Sequence, residues 1–325
     1  MKKNFKLLVL WTFILLILPI NIFAYSSYII PGGKNIGIEV NSKGVLVVGF
    51  YKVNGHFIAK EEGFSVGDSI IAVNDKNINT IDEMVNNIEE NKNIKFTVKR
   101  DNKILNINVN RSLDENGVYK TGMYVKDKII GIGTLTYIDP NTKKFGALGH
   151  EIDEKNTLQR FDIKDGKIFK SSVTSIERSE SGNAGEKNAD YDENEVYGNV
   201  EKNTTSGIFG DYIDDINDLE QLKVANYNEV KTGKATIRTV INNDKIEEFE
   251  INIIKLDNSS DTKNILFEVT DKNLLQKTGG IIQGMSGSPI IQNKMIVGAV
   301  THVILNDTKK GYGIFITTML EEGES

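Results

Sequence analysis

The chain of 325 residues contains no cysteine. That excludes disulfides, thiolate metal sites and a cysteine nucleophile at once. Histidine is scarce: only His56, His150 and His302 occur, so the candidates for an imidazole general base are few. There is no basic excess. Lys+Arg total 39 against Asp+Glu 45, a formal net charge of −6, which argues against a nucleic-acid partner. What is present is ordinary for a globular protein, with 39% hydrophobic and 26% charged residues. The length suffices for a large core and two domains.

The chain opens MKKNFKLLVLWTFILLILPINIFAYS. Lys2, Lys3 and Lys6 precede an apolar run from Leu7 to about Ala24. Residues 1–25 are therefore expected to be a signal peptide or a membrane anchor, and the remainder to lie outside the cytoplasm.

Residues 28–112 read as one α+β module. GVLVVGFYKV (44–53) is a strand ending in the turn residues Asn54 and Gly55. IIAV is another, reached through Gly63, Gly67 and Asp68. From Thr80, TIDEMVNNIEE carries a capping-type start with Glu83 three residues on, and Ile81, Met84, Val85 and Ile88 fall at helical spacing. IKFTVKR and KILNINVNR alternate as two further strands. GFSVGDSIIAVNDKNI, followed by a helix and two strands, resembles a PDZ domain. The resemblance implies capture of an extended peptide at a strand edge, with Asn35, Ile36, Gly37 and Ile38 as the carboxylate-binding loop.

Residues 114–120 form a polar linker, and 113–325 read as many short strands with Gly, Asn and Asp turns, an all-β barrel or sandwich. The polar stretch around 177–196 reads as a loop or insertion. Within the β region stands GMSGSP, 284–289. A serine is a poor nucleophile until a base and an oxyanion site adjoin it, and glycines at 284 and 287 permit tight backbone conformations. A Gly/Ser hairpin would leave the same pattern. The spacing resembles the nucleophile segment of chymotrypsin-like serine peptidases, except that Met285 and Ser288 stand where Asp and Gly are common. That resemblance implies Ser286 as nucleophile and the N–H groups of Gly284 and Ser286 as the oxyanion hole.

His56 belongs to the PDZ-like module. His150, in FGALGHEID, precedes the serine as the base does in the chymotrypsin-like order. If Asn293 and Lys294 turn a hairpin, residues 301 to 302 come to lie opposite Ser286, which leaves His302 as the other candidate base. The chymotrypsin-like resemblance implies instead that Thr301, His302 and Val303 line the substrate pocket. Asp211, Asp214, Asp215, Asp257, Asp261 and Asp271 are all available as the acid. Asp271 follows the strand-like ILFEVT, but it equally suits the cap of a helical turn in KNLLQK.

The anchor, the PDZ-like module and GIGTLTYIDP…FGALGHEI…VTDKNLLQKTGGIIQGMSGSPIIQ…GAVTHV together resemble the stage IV sporulation protein B peptidases of endospore-forming bacteria. The resemblance implies a mainly β chain: an N-terminal helix, an α+β PDZ domain, then a chymotrypsin-like double β-barrel. It implies a serine endopeptidase with His150, Asp271 and Ser286 as its triad and no metal or cofactor. It further implies action in the forespore intermembrane space on itself and on a membrane-bound regulator of an intramembrane metalloprotease, so that a mother-cell sigma factor is released. A PDZ-bearing scaffold without catalysis and an envelope quality-control protease are the alternatives.

Overall fold

The computed structural model describes residues 25–88, 93–101, 103–110, 112–157 and 159–325. The expected signal or anchor segment lies outside them, and among the described residues no helix is long and apolar enough to cross a membrane.

The first module is built from β1 (Asn35–Phe50), β2 (Ser69–Val73), α1 (Ile81–Ile88), β3 (Asn93–Arg100) and β4 (Lys103–Asn110). The capping box forms: the Thr80 hydroxyl accepts from Glu83 N–H at 3.1 Å, and the Glu83 carboxylate accepts from Thr80 N–H at 3.3 Å. Alternation buries Val45, Val47, Ile70, Ile94, Phe96 and Val98 against Met84 and Ile88 of the helix. Asp68, the aspartate of the PDZ-like pattern, is fully buried and bound by the Arg100 guanidinium at 2.6 and 2.8 Å.

β5 (Met123–Ile138) then runs the whole height of the molecule. Its first residues pair with Leu46–Phe50 in the PDZ sheet, and Lys128–Thr134 pair with Asn35–Asn41 of the same β1. With β6 (Lys144–Ala147), β7 (Ile163–Glu177), β8 (Glu186–Thr204) and β9 (Gly207–Tyr212), these strands close a six-stranded ring in the order β1–β5–β6–β9–β8–β7 and back to β1. Ile36, Ile38, Leu135, Phe145, Ile168 and Ile208 fill it.

A second ring follows from β10 (Gly233–Val240), β11 (Ile246–Leu256), β12 (Ile265–Val269), β13 (Pro289–Gln292), β14 (Met295–Val303) and β15 (Lys310–Phe315). Its order is β10–β11–β12–β15–β14–β13 and back to β10. Phe249, Ile251, Ile253, Phe267 and Ile290 fill it. The turn between β13 and β14 is Asn293–Lys294, both at positive φ (52° and 62°), the geometry of a type I′ hairpin. Two helices belong to this half: α2 (Lys272–Thr278) and the C-terminal α3 (Ile316–Glu324). The latter wedges Met319 and Leu320 against Tyr137 and Phe209 of the first barrel and Ile296 and Ile314 of the second.

Two expectations fail here. The polar stretch around 177–196 is not a loop for most of its length: Glu186–Val196 begins β8, which pairs with β7. Asn35–Ile38 is not an open peptide-binding loop either. It is a barrel strand with β5 on one side and β7 on the other, and Tyr191 of β8 packs on Gly37. Both edges are used, so no row of free N–H and C=O groups remains there for an added strand.

Candidate active site

Ser286 is delivered by the turn that leads from α2 into β13. The α2 helix ends on Gly279 in the left-handed conformation, φ 77°, as a helix C-cap glycine does. The chain then pairs Gln283 with Glu186 in a parallel bridge, and Gly284 and Gly287 turn at φ 90° and 92°. β5 grips this turn. The Thr134 hydroxyl donates to the Gly284 carbonyl at 2.8 Å, the Thr134 N–H to the Ser286 carbonyl at 3.0 Å, and the Thr136 hydroxyl to the Gly287 carbonyl at 2.8 Å. The N–H groups of Met285, Gly287 and Ser288 are bonded to Ile282, Val300 and Met285 carbonyls. Among the described residues, the N–H groups of Gly284 and Ser286 donate to no protein acceptor.

His150 comes from the first barrel, just past β6. Leu148 and Gly149 take φ values of 70° and 72°, a costly conformation for leucine. The reason is close packing. A Cβ on Gly287 would stand 2.1 Å from the Thr134 carbonyl oxygen and 2.5 Å from Leu148 N. The His150 loop and the serine turn therefore touch backbone to backbone. The His150 Nδ1 lies 2.7 Å from the Glu151 carbonyl oxygen. A carbonyl only accepts, so Nδ1 carries the proton and Nε2 presents a lone pair. Burial lowers the His150 pKa below its ordinary value, which keeps that lone pair free at neutral pH. The His302 ring packs 5.2 Å from the His150 ring. Burial, with His150 as a second cause, pushes His302 down to about 4, and its Nδ1 is buried without a partner.

Ser286, Gly284 and His150 line one cavity of about 330 Å³, walled elsewhere by Ile38, Ile132 and Leu148. The Ser286 hydroxyl donates to the Thr301 carbonyl at 2.9 Å. Of the three expected pocket residues, Thr301 therefore touches the Ser286 hydroxyl and the His302 ring lies tilted beside His150, while Val303 packs on the core of the second barrel. His56 is exposed in the PDZ module, 3.6 Å from Glu61. Asp271 is not brought to His150. It caps α2, accepting from Leu274 N–H at 2.9 Å and facing Glu250 N–H at 3.5 Å. The His150 Nδ1 faces the Glu151 carbonyl instead. Ser288 is buried with an unpaired hydroxyl.

Sequence reasoning did not find Lys187. It is buried to 2% exposure and lies directly over Gly284, with its stem carbons 3.1 to 3.3 Å from where a Cβ on that glycine would stand.

The profile described as SpoIVB peptidase S55 matches residues 117–320, more than half of the chain. The chain belongs to that family. It is accordingly a serine endopeptidase. A PDZ domain profile matches residues 35–110. No curated protein matches. Among solved structures, the active form of the Rv3671c protease from M. tuberculosis is 14% identical, covering 60% of this chain and 73% of that one with a TM-score of 0.32. Its inactive form is 13% identical, covering 60% and 85% with a TM-score of 0.30. At those scores neither adds to what the geometry says.

Proposed function

We propose that this chain is the serine endopeptidase of endospore formation that cleaves itself and then cuts a membrane-bound regulator of an intramembrane metalloprotease. The sporulation role, the forespore intermembrane location and the membrane tether are what the resemblance to the stage IV sporulation protein B peptidases implies. The chemistry rests on one observation: Ser286 and His150 face a single cavity, beside two N–H groups that have no protein acceptor among the described residues.

In this reading Ser286 swings from the Thr301 carbonyl toward His150 Nε2, which takes its proton as the hydroxyl attacks the scissile carbonyl. The Glu151 carbonyl holds the Nδ1 proton and faces the imidazolium that results. The oxyanion settles on the N–H groups of Gly284 and Ser286, each worth ~100- to 1,000-fold in such sites. His150 then protonates the leaving amine, and water repeats the sequence on the acyl-enzyme. A base from the first barrel and a nucleophile from the second, as here, is the plan of chymotrypsin-like peptidases, and the two six-stranded rings support that assignment.

The test is self-shortening of the purified chain on a gel, followed over time. Wild type should shorten, and Ser286→Ala and His150→Ala should remain full length while keeping the wild-type circular dichroism spectrum. A Ser286→Ala chain that shortens at the wild-type rate would overturn the assignment.

A further inference from the structure

Lys187 has no part in the chemistry above, yet its surroundings are built. Its N–H donates to the Gln283 carbonyl at 3.0 Å, and Gln283 N–H returns to Gly185 at 3.1 Å, so the segment before Gly284 is stitched to β8. The lysine stem then covers Gly284. Its Nζ ends between the two barrels, 3.0 Å from the Thr239 hydroxyl on β10 and 3.5 Å from the Asn35 amide oxygen on β1. Asn35 is itself fixed by a 2.9 Å bond to Ser171 of β7, and Thr239 is fully buried.

We infer that Lys187 is a positioning residue for the oxyanion site: its amino group, anchored to Asn35 on one barrel and Thr239 on the other, fixes the Gln283–Gly284 peptide that aims the Gly284 N–H. This rests on the serine-peptidase reading of the site.

The anchoring form is the neutral amine. β1 presents Asn35, β10 presents Thr239, and the serine turn presents main chain; Glu186, the neighbour on β8, points outward and is exposed. No charged group acts on Lys187, and burial alone pulls it down to about 7. A neutral amine has two N–H groups for these two acceptors. Protonation adds a third donor and a full charge, with no counterion, which burial opposes. Activity therefore requires two groups to be deprotonated, His150 and Lys187.

The experiment is kcat and KM against pH for the full-length protein cutting a peptide that spans its own cleavage site. Variants are Lys187→Met, Thr239→Val and Thr239→Ser, with Ser286→Ala as the blank. Wild type should lose kcat/KM on the acid side more steeply than one proton allows. Lys187→Met should lower kcat by about 10- to 100-fold, the loss typical of a slightly misplaced group, with KM unchanged and a one-proton acid limb. Thr239→Val should do the same, and Thr239→Ser should behave as wild type; this pair carries the test if Lys187→Met does not fold. A wild-type pH profile in Lys187→Met or Thr239→Val would overturn the inference. A loss of 1,000-fold or more in Lys187→Met would also overturn it, by making the amine a participant. Cleavage by wild type that Ser286→Ala retains would instead sink the serine-peptidase reading.

Discussion

A buried amine destabilises a fold at every pH below its ordinary pKa, and Lys187 makes that measurable. Lysine titrates near ~10.4 when unfolded, whereas burial holds Lys187 at about 7 in the folded chain. Between those values the unfolded state binds more protons. Stability is therefore greatest above the unfolded pKa, falls by ~1.4 kcal/mol per pH unit as pH drops through the window, and levels off below the folded pKa. Urea unfolding at pH 7 and pH 9 should show wild type gaining more stability with pH than Lys187→Met does. Equal gains would mean the amine is solvated. Asp271 offers a second test at this scale. If it serves as a helix cap, Asp271→Asn should shorten itself at the wild-type rate, because asparagine caps as well as aspartate. Asp271→Ala should lose about 1 kcal/mol of stability and remain active. If it oriented the base, the asparagine variant would lose activity by about 10,000-fold, as in the aspartate-to-asparagine case known from trypsin, and the gel would show it.

The serine turn depends on close approach. A Cβ at Gly287 would meet the Thr134 carbonyl at 2.1 Å, and φ there is 92°. Gly287→Ala should push β5 away from the turn and abolish self-cleavage, read on the same gel, while the far side of the second barrel keeps its amide protection in hydrogen exchange. This turn was legible in sequence, because Gly284 and Gly287 bracket Ser286 closely and permit such a backbone. The Asn293–Lys294 hairpin and the Thr80 capping box were legible for the same reason: each is written in adjacent residues. Asn35–Ile38 was misread because its fate is decided by Ile168–Lys170 and Gly131–Thr134, far away in sequence. The start of β8 was misread because a ribbon with exposed faces needs no apolar alternation. Local sequence could not choose a role for Asp271, because a strand end followed by a helix suits a cap and a triad acid equally. The turn of the His150 Nδ1 to its neighbour's carbonyl is written in no local motif.

In the whole molecule, β1 and β5 are each one continuous strand shared by the PDZ sheet and the first barrel. The two modules should therefore unfold together. Asp68, fully buried against Arg100, sits on the PDZ side of that seam. Asp68→Ala removes the buried carboxylate from the Ser65 N–H and from the part-exposed Arg100 guanidinium and should cost about 1–3 kcal/mol. In calorimetry the PDZ module and first barrel should move down in temperature as a single transition; two peaks, with only one displaced, would refute the coupling. The shared strands also bear on genetics. Excising the PDZ region as matched, residues 35–110, would pull a stave from the barrel that carries His150 and remove Asn35 from beside Lys187. A silent mutant of that kind would say nothing about peptide binding. Only changes confined to the outer face of the PDZ module can ask what that module binds.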